Sequence, residues 1–513
     1  MRVVSVAEMR ELEEATFRSG VAEATLQERA GAAVARAVFD VHPEAGSAVA
    51  LVGTGNNGRD AWIAVAGLLR SGWSGELYLA PHHAITDAEL REFLDAGGRL
   101  IPFRDGATAA DVSAALLGRD VIVDGLLGIG ARGDPRDPLR TIIAGANAAR
   151  RASSRQITVA VDNPSGVDAD SGESAETSIV ADLTVVLGAA KRGLLTPRAA
   201  QRTGRLVLAD IGVVDGPPGA PSLVTRESVA GLVPIAPPDA HKGLFGRLLV
   251  VAGSPRYAGA AILTCAAAVR IGAGVVALAC PRWLRDIAAA RVPEITYLLL
   301  PDDGPSGAPD ACARRIAAEL DGFQAMAIGP GLSTDGGVPD FVGSVLRERA
   351  RQNVAAVVDA DGLNALAKWP RWPDWIGEGV VMTPHLGELR RLMMGDDVPN
   401  LDCPWETAGR LAAEWRSTLV VKGPFTAIGS DGLRWVLAAP NPALATAGTG
   451  DVLTGIIGGL LARGQPPAAA ACLGVWVHAN AGARAALGKR LGGMAASDLL
   501  SEIPAALAET AIC

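Results

Sequence analysis

Residues 48–62 read AVALVGTGNNGRDAW. A five-residue apolar run is followed by a glycine-rich turn carrying two asparagines and then by the opening of an amphipathic stretch, which is the order of a strand, a loop and a helix. The pattern predicts a strand at 48–52 and a helix opening at Arg59 or Asp60. Gly53, Gly55 and Gly58 are expected to adopt positive φ and to let a ligand approach the backbone. The free amides of the helix start favour an anion. Outward from this stretch, apolar runs recur at 76–79, 121–124, 157–162, 183–187 and 205–209, with amphipathic segments between them. Strands that read as unbroken apolar runs are buried on both faces, so these predict a parallel α/β sheet covered by helices.

In such a sheet the C-terminal strand ends open on one edge, where ligands gather. Asn57, Asp124 (in VIVDGLLGIGARGDPRDPL) and Ser165 (in VAVDNPSGVDADSG) all fall there. Their oxygens suit a hard cation and not zinc or copper. Singly, a glycine turn is a capped strand-to-helix joint and each carboxylate a turn former. Their concurrence on one edge points to a site.

The chain has 513 residues, enough for two or three domains at roughly 100 to 200 residues each. Apolar residues make up 49% and charged residues 20%, which excludes a disordered chain. With 47 basic against 55 acidic residues and a net charge of −8, no broad attraction to nucleic acid or anionic lipid is expected. The six cysteines form no CxxC pair, and the six histidines no HExxH, which argues against a zinc site and a disulfide framework. The N-terminal MRVVSVAEMRELEEATFRSG carries acidic residues where a signal peptide needs an apolar run, and reads as a short amphipathic helix. The apolar stretch 258–280 is interrupted by Arg270 and glycines, short of the roughly 20 residues of a membrane span. A cytoplasmic location is expected. Pro/Gly clusters at 216–221 and 234–238 mark a linker. The expected domains are 1–222 and 223–513, with a helix and loop within 222–238.

The second half restarts the alternation at 248–252. Its decisive segment is NPALATAGTGDVLTGIIGGLLARG, residues 441–464. Gly448, Thr449 and Gly450 precede an apolar helical run, so their amides are expected to form an anion hole at a helix N-terminus. Asp451 beside them is placed to take a proton from an attacking hydroxyl. Lys422, in STLVVKGPFTAI, ends an apolar strand and puts a compact cation at the sheet edge. His385, between strand and helix in TPHLGE, is a candidate substrate donor. A long helical region, 451–507, is expected to break at 464–467. Its glycine-rich part, 452–461, is expected to bury against a partner subunit, giving a homo-oligomer.

Taken together, GTGNNGRD, DGLLGIGARGDPRDP, VDNPSGVDADSG and ADLTVVLGAAKRGL resemble the NAD(P)H-hydrate epimerase domain over about residues 1–215. The resemblance implies a Rossmann-like α/β fold that interconverts the R and S epimers of hydrated NADH and NADPH. It implies that Asn57, Asp124 and Ser165 hold potassium. Asn56, Asn57, Gly58, Arg59 and Asp60, with Gly128, Ile129, Gly130, Ala131, Arg132, Gly133 and Asp134, would line the substrate pocket, and Asp162 would contact the hydrated ring. The family usually shows GNNGGDG, where Arg59 and Ala61 stand here, and an apolar residue where Asn163 stands. Arg59 either pairs with a substrate phosphate or narrows the pocket.

HKGLFG, GPGL, DADGLNAL, TPHLGE, VKG and AGTGD, in that order, resemble the ribokinase-like family and within it the ADP- or ATP-dependent NAD(P)H-hydrate dehydratases, over about residues 225–505. The resemblance implies a second α/β domain in which Lys422, Gly423, Pro424, Phe425, Thr426 and Gly450 bind an adenine nucleotide, ADP being expected, with Mg²⁺. Gly331, His385, Asp451 and Ala261 of the 259–261 turn would contact the hydrate. Ser333 departs from the usual glycine after GPGL. A small-molecule kinase of the same fold, joined to a non-catalytic Rossmann-like module, is the alternative reading.

Overall fold

The computed structural model describes residues 1–235, 237–239, 243–394, 402–487 and 493–511. His241 and Lys242 of HKGLFG lie outside them. The chain divides into two compact units, the first formed by residues 1–222 and the second by almost all of the remainder.

In the first unit seven strands pair in parallel in the order Arg99–Ile101, Ser74–Leu79, Ser47–Val52, Val121–Gly125, Ile157–Val161, Leu183–Leu187, Arg205–Ala209. Sequence order reverses between Ser47–Val52 and Val121–Gly125, the topological switch point at which doubly wound sheets open a crevice. Every apolar run expected to be a strand is one, except that Asp162 lies just past its strand at φ 63. The edge strand Arg99–Ile101 has no fully buried residue and hence no apolar signature to read.

The helix after the glycine turn spans Asn56–Arg70 with Gly55 as its N-cap, three residues earlier than Arg59, so both asparagines sit in its first turn. Nor do Gly53, Gly55 and Gly58 have positive φ. Two of these glycines serve close packing instead. A Cβ on Gly53 would meet the Leu126 carbonyl oxygen at 2.0 Å, and one on Gly58 the Gly53 carbonyl oxygen at 2.5 Å. The N-terminal helix forms as Val6–Arg18, started by a reciprocal Ser5–Glu8 capping box, as the physics of helix termini favours.

The second unit has a ten-stranded sheet in the order Ser222–Leu223, Leu433–Leu437, Thr426–Ser430, Thr418–Val421, Val380–Met382, Ala355–Val358, Ala325–Ile328, Arg247–Val251, Val275–Cys280, Thr296–Leu299. From Thr296–Leu299 through Thr418–Val421 the pairing is parallel, and the next two ladders are antiparallel. Residues 222–238 include the helix Arg226–Ala230. The C-terminal helical region comprises Thr449–Ala462, Pro467–Ala486 and Ala496–Thr510, so a second break separates the last two.

The expectation that 452–461 faces a partner subunit is corrected. Val452 through Ala462 are all buried, enclosed by the helices Ala258–Arg270 and Pro467–Ala486 and by the strands Ala325–Ile328 and Ala355–Val358. A helix apolar on every side is an interior helix. Its glycines admit neighbours of the same unit, since a Cβ on Gly455 would stand 2.2 Å from the Thr264 carbonyl oxygen. Among the described residues no helix is long and apolar enough to cross a membrane, and Cys265, Cys280, Cys312 and Cys472 are buried free thiols.

The close crossing at Gly455 makes a stability prediction. Gly455→Ala forces backbone against backbone and should cost about 2 kcal/mol, whereas Gly259→Ala, which meets nothing within 4 Å, should be neutral or stabilising by up to about 1 kcal/mol. Thermal unfolding of the two variants beside the wild type checks this.

Candidate functional site

The switch point of the first unit holds a cavity of about 240 Å³. Asn56, Asn57, Asp60, Gly128, Ile129, Gly130 and Asp162 line it, together with Met9, Arg10, Glu13 and Phe17 from the N-terminal helix. Behind it Asp124 is completely buried. Its carboxylate accepts from Ser165 N at 2.8 Å, from Ser165 Oγ at 2.7 Å and from Leu126 N at 3.2 Å. Among the described residues no lysine or arginine pairs with it, and burial pushes its pKa up to about 6. Asn57 donates to the Val161 carbonyl at 2.5 Å. Its side-chain oxygen lies beside Gly128, whose own Cβ would stand 2.8 Å away.

Two further carboxylates face the cavity in contrasting surroundings. Asp162 Oδ1 accepts from Leu187 N at 2.9 Å and from the fully buried Lys191 ammonium. Asp60 has no such partner: burial first, then Asp162 and Glu13, push its pKa up to about 8 against the pull of Arg59, and its Oδ1 is buried without a hydrogen bond. One acid paired with a buried ammonium and one raised by burial is the arrangement that separates acid and base roles.

Several expected pocket residues lie elsewhere. Arg59 neither reaches nor narrows the cavity, because its guanidinium pairs with Glu89 and lies 5.7 Å from the Trp62 ring centre. Gly58 is used in packing. Ala131, Arg132, Gly133 and Asp134 stand off the cavity wall, with Arg132 exposed and 3.5 Å from Asp170. Asn163 is buried, and its amide donates to the Val167 carbonyl at 2.7 Å, tying the turn rather than entering the pocket. Met9, Glu13 and Lys191 were not read as site residues. Lys191 had a signal, as one of only five lysines in the chain.

In the second unit the parallel strand ends converge on Lys422. Its Nζ donates to Asp359 Oδ1 at 2.7 Å and lies 3.9 Å from Glu388 Oε2. Burial opposes its charge, but Asp359 and Glu388 prevail and raise its pKa. Asp359 is itself held at Oδ2 by Thr454 Oγ1 at 2.6 Å, from the second turn of the helix that begins at Thr449. Gly448 caps that helix at φ 91. The amides of Gly448, Gly450 and Asp451 carry no hydrogen bond among the described residues. That of Thr449 donates to the Thr446 carbonyl at 3.3 Å, which removes it from the expected anion hole. Burial, then Asp359, raises the Asp451 pKa to about 7 against Lys422.

His385 is the N-cap of Leu386–Leu392. Its Nδ1 accepts from Gly387 N at 2.9 Å, so in the neutral ring the proton sits on Nε2, which lies 3.4 Å from Glu388 Oε1. Gly331 adopts φ 61 and faces the first turn of Ala258–Arg270, where a Cβ would stand 2.8 Å from that of Ala260. Ala261 is completely buried, its methyl turned toward Gly253. Gly423 and Pro424 form the turn into the strand that begins at Thr426, with Phe425 buried beneath it. Ser333 holds φ 66 with its amide donating to Asp361 at 2.8 Å. Asp359 and Glu388 were quoted within motifs but given no role. His478 was missed: its Nε2 donates to the Thr449 carbonyl at 2.9 Å, and burial lowers its pKa to about 4.

A Rossmann-type crevice joined to a ribokinase-like sheet, whose edge carries a lysine, free helix-start amides and a carboxylate, defines a two-unit enzyme acting on nucleotide-like substrates. A family model described as NAD(P)H-hydrate dehydratase matches residues 248–505, and one described as YjeF-related protein N-terminus matches 23–193. The bifunctional NAD(P)H-hydrate repair enzyme Nnr of Moorella thermoacetica is 36% identical over 98% of this chain and 96% of its own. That of Coxiella burnetii is 33% identical over 97% of each. A crystal structure of a ribokinase-like superfamily protein from Enterococcus faecalis, 23% identical, superposes with a TM-score of 0.50 over 58% of this chain and 99% of its own, a likeness of fold. The chain belongs to the family of bifunctional NAD(P)H-hydrate repair enzymes.

Two outcomes follow from the electrostatics of the second site. Lys422→Met strands the Asp359 carboxylate and should cost about 3 kcal/mol, recovered in large part by adding Asp359→Asn; urea unfolding of single and double variants reads it. Because His478 is harder to protonate folded than unfolded, its contribution is complete above pH 6.5 and drains away as pH falls toward 4. Melting temperatures over that window should fall less in His478→Gln.

Proposed function

We propose that the second unit dehydrates the S form of hydrated NADH and NADPH by ADP-dependent phosphorylation, and that the first unit interconverts the R and S forms so that both can be repaired. The observation that carries the reading is the placement of Asp451 and the unpartnered Gly448 and Gly450 amides around Lys422 Nζ, a cation and anion hole beside a base. The C6 hydroxyl of the hydrated ring is a poor leaving group, and phosphorylation makes it a good one. Asp451 accepts the hydroxyl proton while the amides and Lys422 stabilise charge on the transferred phosphoryl group. The C6–O bond then breaks with the ring nitrogen's electron pair behind it, phosphate departs, and loss of a proton from C5 restores the dihydropyridine. AMP and phosphate are the other products. His385 Nε2 and Gly331 are assigned to the hydrate, with Ala260 in place of Ala261; residues 422–426 and Gly450 are assigned to the nucleotide.

Mg²⁺, when bound with the nucleotide, would neutralise phosphate charge. Among the described residues no cluster of three or more histidine, cysteine or acidic side chains could hold a metal, so the nucleotide's phosphates would supply most of its ligands. Potassium fits the first site better: Asp124 is a buried carboxylate without a counter-charge among the described residues, Ser165 Oγ lies beside it, and the Asn57 side-chain oxygen would complete the set.

Asp451→Asn should lower dehydration of the S form about 10³-fold at unchanged KM, read by recovery of dihydropyridine absorbance with ADP, ATP or no nucleotide. The wild-type rate should rise as pH passes upward through about 7, where Asp451 ionises. Recovery without nucleotide would overturn the phosphorylation step. Replacing potassium by lithium should slow R-to-S conversion and leave dehydration of the S form unchanged, and Asp124→Asn should abolish that dependence.

A further inference from the structure

We propose that Lys191 is a positioning residue of the epimerase cavity, acting through Asp162. The proposal rests on the epimerase reading above. Asp162 sits immediately beyond the strand Ile157–Val161 in a left-handed conformation, φ 63, which costs a non-glycine residue about 1–3 kcal/mol and persists where neighbours impose it. Those neighbours are visible. Asp162 N donates to the Val185 carbonyl at 2.8 Å, and Leu187 N and Lys191 Nζ both donate to Oδ1. Both protein donors fall on the same oxygen. Oδ2 takes no hydrogen bond among the described residues, and it belongs to a residue on the cavity wall.

Lys191 itself is reached only from within. It is completely buried, and its Nζ donates to Asp162 and, at 3.0 Å, to the Leu187 carbonyl. Its backbone is fixed by the short parallel pairing of Ala190–Lys191 with Val3–Val4, the residues that lead into the N-terminal helix on the far side of the cavity. Among charged groups, Lys191 also acts on Glu13, while Asp162 acts on both Glu13 and Asp60. Lys191 is therefore the cation that fixes Asp162 through Oδ1 and leaves Oδ2 to the ring. In the step this serves, Asp162 takes the proton of the C6 hydroxyl as the C6–N1 bond breaks, the ring nitrogen takes a proton from Asp60 on the same cavity wall, and the C6 carbonyl rotates about the C5–C6 bond. Reclosure on the other face returns both protons.

The test uses the full chain with the pure R form of hydrated NADH and potassium, following its approach to the epimer mixture by chromatography. The expected result for Lys191→Met is a kcat about 100-fold lower with KM changed less than about threefold. Dehydration of the S form by the same variant should stay at the wild-type rate. A wild-type kcat in Lys191→Met, or a loss confined to KM, would overturn the proposal. Should that variant unfold, Lys191→Met with Asp162→Asn restores a neutral pair: residual activity equal to that of Asp162→Asn alone supports action through Asp162, and activity well below it overturns the assignment. A wild type that does not interconvert the epimers would instead remove the epimerase reading.

Discussion

A lysine ammonium buried against a carboxylate survives only if attraction and hydrogen bonding offset the desolvation of both charges, and this chain meets that condition twice at the ligand edge of a parallel sheet. Lys191 stands on Asp162 in the first unit and Lys422 on Asp359 in the second. In each pair one carboxylate oxygen takes the lysine and a second donor fixes the acid, Leu187 N in one case and Thr454 Oγ1 in the other. A second acid stands beside each pair. Asp60 and Asp451 are pushed upward by burial and by the neighbouring carboxylates Asp162 and Asp359. Remove either lysine and each site becomes a cluster of acids with nothing to order their ionisation.

The same edge is used in two ways. The first unit closes a cavity under an amphipathic helix, a setting suited to moving protons on a ring shielded from water. The second presents helix-start amides and a lysine around a carboxylate, a setting suited to passing charge between large anions.

The sheets were legible because strands buried on both faces leave apolar runs, and the sites because oxygen-bearing turns follow those runs. What was lost was direction. Whether Arg59 enters the cavity depends on which side of one helical turn it leaves from, and the true helix start at Asn56 rotates it toward Glu89. Gly53 and Gly58 read as positions of positive φ open to a ligand, yet they are contact points where backbone meets backbone, and only the fold supplies the second backbone. Ala260 and Ala261 are neighbours in sequence and meet different glycines, Gly331 and Gly253. The apolar stripe at 452–461 is continuous around its helix, which marks an interior, and reading it as a subunit face overlooked that a docking helix keeps a polar side. His478 and Lys191 act across many residues of chain, with no local pattern to announce them.

The helix Ala258–Arg270 carries the Ala260 methyl against Gly331 and, one turn on, Thr264, whose hydroxyl donates to the Asp451 carbonyl at 3.1 Å and whose own carbonyl abuts Gly455. Ala260 and Asp451 are thus mounted on one close crossing. Directed evolution has little freedom there. Moving this helix away from Gly331 would also displace Asp451, so productive library positions are those that reshape the surface in place, above all Tyr257, which is exposed and bears on Gly331 from outside the crossing.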